Sequence, residues 1–324
     1  MRSGWVVYAL SLLLLAYFVI WSIFGMYNDD LVIFRYTNYF GYYASALSVV
    51  LLIINLLLVK KLNIGRILIV PTILVALAPI TLPWLIPQTL NTTPRIEHIS
   101  DSASSAFTFV TFSKMSRNQD FKAVAQLIDC SKYDIIAVQE ATGLEQELHG
   151  ALANSSCNTV FSKQGSLAVF SKYPLVAVEE FKFGMHVITN IANQELSIIT
   201  LRMDKSLTGN GLKTHQKELS ILNDYIKNLL TPSVIAGDFN ATIHNESIWT
   251  VNQHASYLAP NSFWNLEFNF PSTARRIGAL GPLIRIDHIF TQRLVATPIE
   301  VMSYAYSSDH FPIITKLYPS GDPI

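Results

Sequence analysis

Before Arg95 this chain is almost free of charge. Arg2, Asp29, Asp30, Arg35, Lys60, Lys61 and Arg66 are the charged residues there, and they bracket three apolar stretches: Trp5 to Phe24, about Phe40 to Val59, and Ile67 to about Ile86. Each is close to the ~20 residues that a helix needs to cross the hydrocarbon core of a bilayer. In lipid a segment must satisfy its own backbone N–H and C=O groups, so an isolated apolar run of this length is confined to a helix. A cleaved signal peptide fits the first stretch poorly. Its apolar run is too long, it lacks a clear small-x-small site, and two further spans follow. The sequence predicts an N-terminal three-helix transmembrane region over residues 1–87.

Charge placement sets the expected orientation. Arg2 precedes the first span, Lys60, Lys61 and Arg66 fill the second loop, and the first loop holds Asp29, Asp30 and one Arg35. The positive-inside rule then puts the N-terminus and the second loop in the cytoplasm. An odd number of spans delivers everything after Pro87 to the outer side of the cytoplasmic (inner) membrane, periplasmic or extracellular. Residues 88–105, rich in Thr, Asn, Ser and Pro and without periodicity, are expected to be a linker. Residues 106–324 are long enough for one domain with a substantial core. The apolar excess of the whole chain, 50% hydrophobic and 14% charged residues, is therefore local to its first quarter. The 23 basic and 23 acidic residues cancel, so no global basic field points to a nucleic-acid partner. The two cysteines, Cys130 and Cys157, both fall in the exported part. There they are free to form one disulfide or to remain two buried thiols. Two isolated cysteines cannot cage zinc.

Within 106–324, polar groups gather at the ends of short apolar or β-branched runs. Ile135-Ile136-Ala137-Val138 ends in Gln139-Glu140, and Val234-Ile235-Ala236 ends in Gly237-Asp238-Phe239-Asn240. Ser308-Asp309-His310 precedes a third such run. Continuous apolar strands are buried on both faces, so their ends can hold polar groups at fixed positions in a cleft. A Glu, two Asp, an Asn and a His collected in this way suit a hard divalent cation beside a general base, the machinery of phosphate-ester hydrolysis.

Pattern predicts strands at Phe107–Phe112, Tyr133–Glu140, about Thr159–Ser162, Leu167–Ser171, Val187–Ile191, Leu196–Leu201, Val234–Ala236, Ile286–Phe290 and Ile313–Leu317. It predicts helices at Asn118–Cys130, Thr142–Asn154 and His215–Leu229. This alternation suggests two packed sheets with helices outside.

Five strings occur in order: Val138-Gln139-Glu140, Gly165-Ser166-Leu167-Ala168-Val169-Phe170-Ser171-Lys172-Tyr173-Pro174, Ala236-Gly237-Asp238-Phe239-Asn240-Ala241, Arg285-Ile286-Asp287-His288-Ile289-Phe290 and Ser308-Asp309-His310-Phe311-Pro312-Ile313. Together, from about Phe107 to Leu317, they resemble the endonuclease/exonuclease/phosphatase superfamily; the N-terminal three-helix region lies outside the resemblance, and with it the chain is expected to be of the membrane-anchored bacterial type familiar in this superfamily. The resemblance implies a four-layered α/β sandwich, in which two packed mixed β-sheets are flanked by helices. It also implies roles. Glu140 matches the metal-binding glutamate, with Asp309 near the metal. Asp238 matches the residue that orients or deprotonates the attacking water, and Asn240 the amide on the phosphate oxygens. His310 matches the imidazole on the scissile phosphate, and Asp287 the carboxylate that pairs with it. The implied cofactor is Mg²⁺, with Mn²⁺ as the alternative ion.

Two positions depart from the pattern. Ser113 stands where members usually carry an Asn that contacts metal or phosphate, and Arg202 stands where they commonly have a catalytic His. Ser can still bond a metal-bound water. Arg cannot be a general acid near neutral pH but can clamp a phosphate in bidentate fashion. Weaker candidates are Arg275-Arg276 as a phosphate contact, and His215, read as a surface helix residue. His244, His254 and Trp249 fall where substrate contacts vary, and Phe263-Trp264, Phe268 and Phe270 read as packing. The expectation is an integral-membrane, Mg²⁺-dependent phosphoesterase acting outside the cytoplasm on a phosphodiester or lipid-linked phosphate, with nucleic acid a less favoured substrate. The alternatives are a phosphate-ligand-binding module that has lost catalysis, suggested by Ser113 and Arg202, and a nuclease on extracellular nucleic acid.

Overall fold

The computed structural model describes residues 2–61, 69–95, 106–147, 157–164, 166–261, 266–272 and 276–319. The chain divides into two compact units. One comprises Met1–Leu90 and Thr242–Trp249, the other Asn91–Ala241 and Thr250–Ile324.

In the first unit the three apolar stretches are helices: α1 (Arg2–Ile20), α3 (Gly41–Lys61) and α4 (Ile69–Leu85). Gly4–Gly25, Gly41–Lys61 and Ile69–Thr89 are each long and apolar enough to cross a membrane. Leu13, Leu57 and Leu74 are more than 60% exposed, which suits a lipid-facing surface. Polar side chains bond across the helices. Ser11 Oγ donates to Asn55 Oδ1 at 2.9 Å and Ser45 Oγ to Ile80 O at 2.7 Å. Such bonds hold helices together where apolar surface alone provides no driving force. The segment expected to be a charged loop between the first two spans is partly helical, as α2 (Val32–Tyr39). Two of its three charges are buried, with Asp29 3% and Arg35 2% exposed, while Asp30 is exposed, and Arg35 Nε donates to Asp29 O at 2.7 Å.

The second unit is built on two mixed sheets. The first contains β1 (Phe107–Ser113), β2 (Ile135–Gln139), β3 (Asn158–Phe161), β4 (Leu167–Ser171), β11 (Leu294–Ala296) and β13 (Ile313–Pro319), in the order β11-β13-β1-β2-β4-β3. The two-residue β12 (Glu300–Val301) adds to β13. The second contains β5 (Leu175–Phe181), β6 (Gly184–Ile191), β7 (Gln194–Arg202), β8 (Ser233–Asp238), β9 (Ser256–Tyr257) and β10 (Asp287–Gln292), in the order β5-β6-β7-β8-β10-β9. β1–β2 and β7–β8 run parallel. Alternation on β2 shows why its sequence is continuously apolar. Ile135 and Ala137 enter the core between the sheets, with Phe109, Val169, Ile198, Val234 and Ile289. Ile136 and Val138 face the other way and pack with Val124 and Leu127 of helix α5 (Phe121–Leu127). The two sheets are flanked by helices, as the resemblance implies.

Several boundaries move for local reasons. Helix α5 is shorter than the predicted Asn118–Cys130, because the Asp120 side chain caps it by accepting from Ala123 N. Helix α6 (Gly209–Ile226) begins six residues before His215, because Thr208 Oγ1 accepts from Gly211 N and so offsets the poor propensity of Gly209 and Gly211. Strand β5 had no prediction. It is an edge strand with mostly exposed residues and a register shift between Ala177 and Glu179, so its burial does not alternate. Of the predicted helix at Thr142–Asn154, positions 144–147 are helical and residues 148–154 lie outside the described residues. Thr93 N donates to Tyr257 O and Tyr257 N to Asn91 O, which fastens residues 91–93 of the expected linker to β9.

Cys130 and Cys157 form a disulfide that closes a separation of 27 residues. Replacing both by Ser is expected to cost about 3–4 kcal/mol of unfolding free energy on the chain-entropy account. Denaturant titration of the full chain in detergent, with and without reductant, measures it.

Candidate active site

Each sheet ends in polar groups on its central strands. In the second sheet, Arg202 of β7 pairs with Asp238 of β8, and Asp238 pairs with Asp287 of β10. One rung across three strands thus carries a cation and two carboxylates. In the first sheet Ser113 of β1 pairs with Gln139 of β2, and Glu140 follows directly. The chain turns sharply at both carboxylate-bearing ends. Glu140 (φ 52°) and Asn240 (φ 46°) are left-handed, a conformation that side-chain-bearing residues adopt at a cost and that clusters at functional sites. Gly237 (φ 144°) approaches β7 so closely that a Cβ would lie 2.0 Å from Leu201 O, which excludes every other residue there.

All eight residues singled out in the sequence, Ser113, Glu140, Arg202, Asp238, Asn240, Asp287, Asp309 and His310, join one set of contacts. Arg202 Nε donates to Glu140 Oε1 at 2.7 Å, and the N–H and hydroxyl of Ser116 bond Glu140 Oε2. Burial raises the Glu140 carboxyl, but Ser116 and Arg202 outweigh it and hold the pKa below the ordinary value. Asn240 N donates to Asp238 Oδ1 at 2.9 Å, while the Asn240 amide group donates to Met203 O at 2.8 Å and Asp238 Oδ2 at 3.2 Å. His310 Nδ1 lies 2.6 Å from Asp287 Oδ2, and its Nε2 lies 3.9 Å from Asp309 Oδ1. Ser308 Oγ donates to Ser113 O at 2.6 Å and so ties the His310 loop to the end of β1.

Electrostatics tie the group together. Burial together with the neighbouring Asp287 charge pushes Asp238 up to about 7, against the pull of His310 and Arg202. Burial lowers His310, but the Asp287 carboxylate at 2.6 Å, with Asp238 and Asp309 near it, raises it to about 9. His310 is therefore an imidazolium at neutral pH.

The structure adds residues that sequence reasoning missed. Asn269 Nδ2 donates to Asp287 Oδ2, the Phe270 ring lies 4.8 Å from His310, and Ser272 N donates to Asp309 O at 2.8 Å. These lie in an irregular segment whose only sequence signal is Asn269-Phe270-Pro271. Ser116 is a turn residue with no motif. Lys114 is fully buried, with Nζ 3.1 Å from Asn118 O, and burial lowers its pKa against the Glu140 charge.

The weaker candidates stand elsewhere. His215 is buried, a correction to the surface position expected for it, because its Nδ1 packs 2.7 Å from Asp204 O. His244 and Trp249 belong to the helical unit, and His254 is exposed. Arg275 and Phe263-Trp264, with the side chain of Arg276, lie outside the described residues.

Among the described residues no three His, Cys, Asp or Glu side chains gather as a metal cage. The donors still fit a hard cation that retains water and takes one or two carboxylates. Glu140 is held anionic, and Ser113 Oγ is buried without a hydrogen-bond partner.

Residues 111–310 match the family model described as "Endonuclease/Exonuclease/phosphatase family". No curated protein matches the sequence. Among solved structures, an endonuclease/exonuclease/phosphatase family protein from Bacteroides thetaiotaomicron superposes with TM-score 0.52 at 15% identity, over 67% of this chain and 99% of that one. A humanized D. rerio TDP2 gives 0.51 at 14% identity over 66% and 99%. D. rerio TDP2 complexed with single-strand DNA product gives 0.50 at 14% over the same shares. At these identities the likeness is one of fold.

The His310–Asp287 pair makes a specific prediction. Because the folded pKa of His310 lies above its ordinary 6.5, the stability that the pair contributes is fully present below about 6.5 and is lost as pH rises through about 9. Asp287→Asn is expected to return the His310 pKa toward 6.5 and to flatten this part of the pH–stability curve. Histidine-labelled NMR titration and thermal melts between pH 6 and 10 measure both.

Proposed function

Because the chain belongs to the endonuclease/exonuclease/phosphatase family, whose members are nucleases or phosphoesterases, we propose that it is a membrane-anchored, divalent-metal-dependent phosphoesterase. The observation that carries this reading is the single contact set that joins eight polar residues from both sheets, with a charged His310 at its centre. A buried imidazolium and a carboxylate titrating near 7 are suited to opposite tasks on one phosphate.

In this reading Asp238 accepts the proton of the attacking water, and Asn240 holds the carboxylate in place by its two bonds to it. His310, oriented by Asp287, donates to a phosphate oxygen and opposes the charge that develops there. Arg202, fixed through Nε and 37% exposed at its side chain, adds a second positive charge on the same face. Glu140 and Asp309, with the hydroxyl of Ser113, would hold Mg²⁺ or Mn²⁺. When bound, that ion supplies Lewis-acid polarisation of the phosphate. The exposed apolar helices support an integral-membrane protein, and the basic second loop supports a cytoplasmic N-terminus with the enzyme on the outer side. Tethering and zero net charge favour a lipid, lipid-linked or small phosphate ester over chromosomal DNA.

The Glu140–Arg202 ion pair supports a second reading, because the carboxylate assigned to the metal already faces a cation. In that reading the domain binds phosphate esters without turning them over.

The full chain in detergent micelles is expected to hydrolyse at least one of a bis-aryl phosphodiester, a phospholipid and a polyprenyl diphosphate, only with Mg²⁺ or Mn²⁺ present. Asp238→Ala should lower kcat by about 10²- to 10⁴-fold with an unchanged melting curve. Phosphate-ester binding by the folded protein without turnover would support the second reading. Turnover confined to plasmid DNA, falling steeply with salt, would identify a nuclease.

A further inference from the structure

Within the two-sheet unit, the turn that carries Asp238 and Asn240 is held from both sides by the neighbours of Asp287. Asn240 (φ 46°) is left-handed, a conformation that persists only where its surroundings fix it. Before it, Phe239 N donates to Ile286 O at 2.9 Å. After it, Ala241 O lies 2.9 Å from His288 Nε2. Ile286 and His288 flank Asp287, which pairs with Asp238 in the ladder between β8 and β10. Three consecutive residues therefore present a carboxylate and hold the turn opposite it.

The His288 contact belongs to a chain of hydrogen bonds whose direction is fixed at both ends. At one end Ala241 O is a carbonyl, which only accepts, so His288 Nε2 carries a proton. At the other end Arg285 is a guanidinium, which only donates, and its Nη2 donates to the Tyr257 hydroxyl. That hydroxyl lies 3.1 Å from His288 Nδ1. With its oxygen accepting from Arg285, its hydrogen is left for Nδ1. The imidazole is then neutral, a donor at Nε2 and an acceptor at Nδ1. Arg285, Tyr257, His288 and Ala241 are all buried. Burial, together with the Arg285 charge, lowers the His288 pKa to about 3, so the ring stays neutral near physiological pH. Arg285 is itself held in a costly place. Its Nε and Nη1 are buried and find no acceptor among the described residues. Stability alone does not account for a guanidinium there, whereas a donor and a charge aimed at Tyr257 and His288 do.

We propose that His288 is a positioning residue for the turn of Asp238 and Asn240, held in its Nε2–H tautomer by Arg285 through Tyr257. The proposal rests on the phosphoesterase reading of that turn. Without the His288 donor, Ala241 O loses the group that faces it and the left-handed Asn240 loses one of its two flanking restraints. A shift of Asn240 carries its backbone and side-chain bonds to the Asp238 carboxylate with it. Catalytic groups tolerate misplacement poorly, and about 1 Å can cost about 10²-fold in rate. His288 acts in this account only through Ala241, which separates its role from that of His310.

The test uses the full chain in micelles. Histidine-labelled nitrogen NMR of the wild type near neutral pH is expected to show His288 protonated at Nε2 and bare but hydrogen-bonded at Nδ1. His288→Leu removes the donor, and His288→Gln restores an amide N–H that can reach Ala241 O. His288→Leu is expected to speed hydrogen exchange of the Asn240 amide by about tenfold or more, and to lower kcat by roughly 10- to 100-fold with KM little changed. His288→Gln is expected to recover most of both losses. A proton on Nδ1 in place of Nε2, or wild-type exchange and kcat in folded His288→Leu, would overturn the proposal. Equal losses in the Leu and Gln variants would assign His288 to packing and overturn it as well. If His288→Leu does not fold, Tyr257→Phe decides. It removes only the hydroxyl, and exchange at Asn240 is expected to rise by roughly threefold, whereas wild-type exchange and kcat would overturn the proposal. If the wild type hydrolyses none of the phosphate esters, the phosphoesterase reading fails, and exchange at Asn240 still decides whether His288 holds the turn.

Discussion

The rung that aligns Arg202, Asp238 and Asp287 across three neighbouring strands is the constraint on which the electrostatics of the candidate site depend. Two carboxylates on adjacent strands repel, and burial makes each charge more costly. The structure answers with a cation on either side, Arg202 on β7 and the imidazolium of His310 against Asp287. The consequences are legible in the titrating groups. One carboxyl is raised toward neutrality, one histidine is held charged, and the ordinary values of both are displaced toward the middle of the physiological range or beyond it. A flat array of this kind is possible because the strands that carry it are buried on both faces and leave their ends no freedom to drift.

The helical unit solves a different problem of polar satisfaction. Three helices exposing Leu13, Leu57 and Leu74 suit lipid, but α4 contains Pro79 and Pro83 and is followed by Pro87, which leaves backbone carbonyls without intrahelical donors. Neighbouring side chains meet part of that need, as His244 does at Pro83. Asp29, placed by the sequence in the first loop, is buried and accepts from Asn38, Asn245 and Glu246. A buried carboxylate persists only when paired or multiply hydrogen-bonded. Two of these partners, Asn245 and Glu246, lie more than two hundred residues away in the chain, which explains why local sequence reads Asp29 as a loop residue.

Much of the fold was legible because it follows local rules. Three apolar runs of bilayer length read as helices, and the central strands β1, β2, β4, β8 and β13 read as apolar runs of the right length. The edge strand β5 and the short β9, β11 and β12 were not legible, since they carry no alternation and exist through their partners. Candidate site residues on strand ends, such as Glu140 and Asp238, are legible by position. Ser116, Asn269 and Phe270 did not, because each contributes through a turn or an irregular segment brought in by tertiary packing.

The sequence by itself determined the apolar helices, the buried strands and the identity of the polar groups at their ends, because periodicity, length and residue type are local properties. Only the tertiary structure decided that Arg202 faces Glu140 and that Asp287 faces both Asp238 and His310. It also decided that Cys130 meets Cys157 and that residues Thr242–Trp249 belong to the unit of the N-terminal helices. Those are pairings between distant parts of the chain. They depend on strand register and on which buried polar group finds which donor, and neither is encoded within any one window of residues.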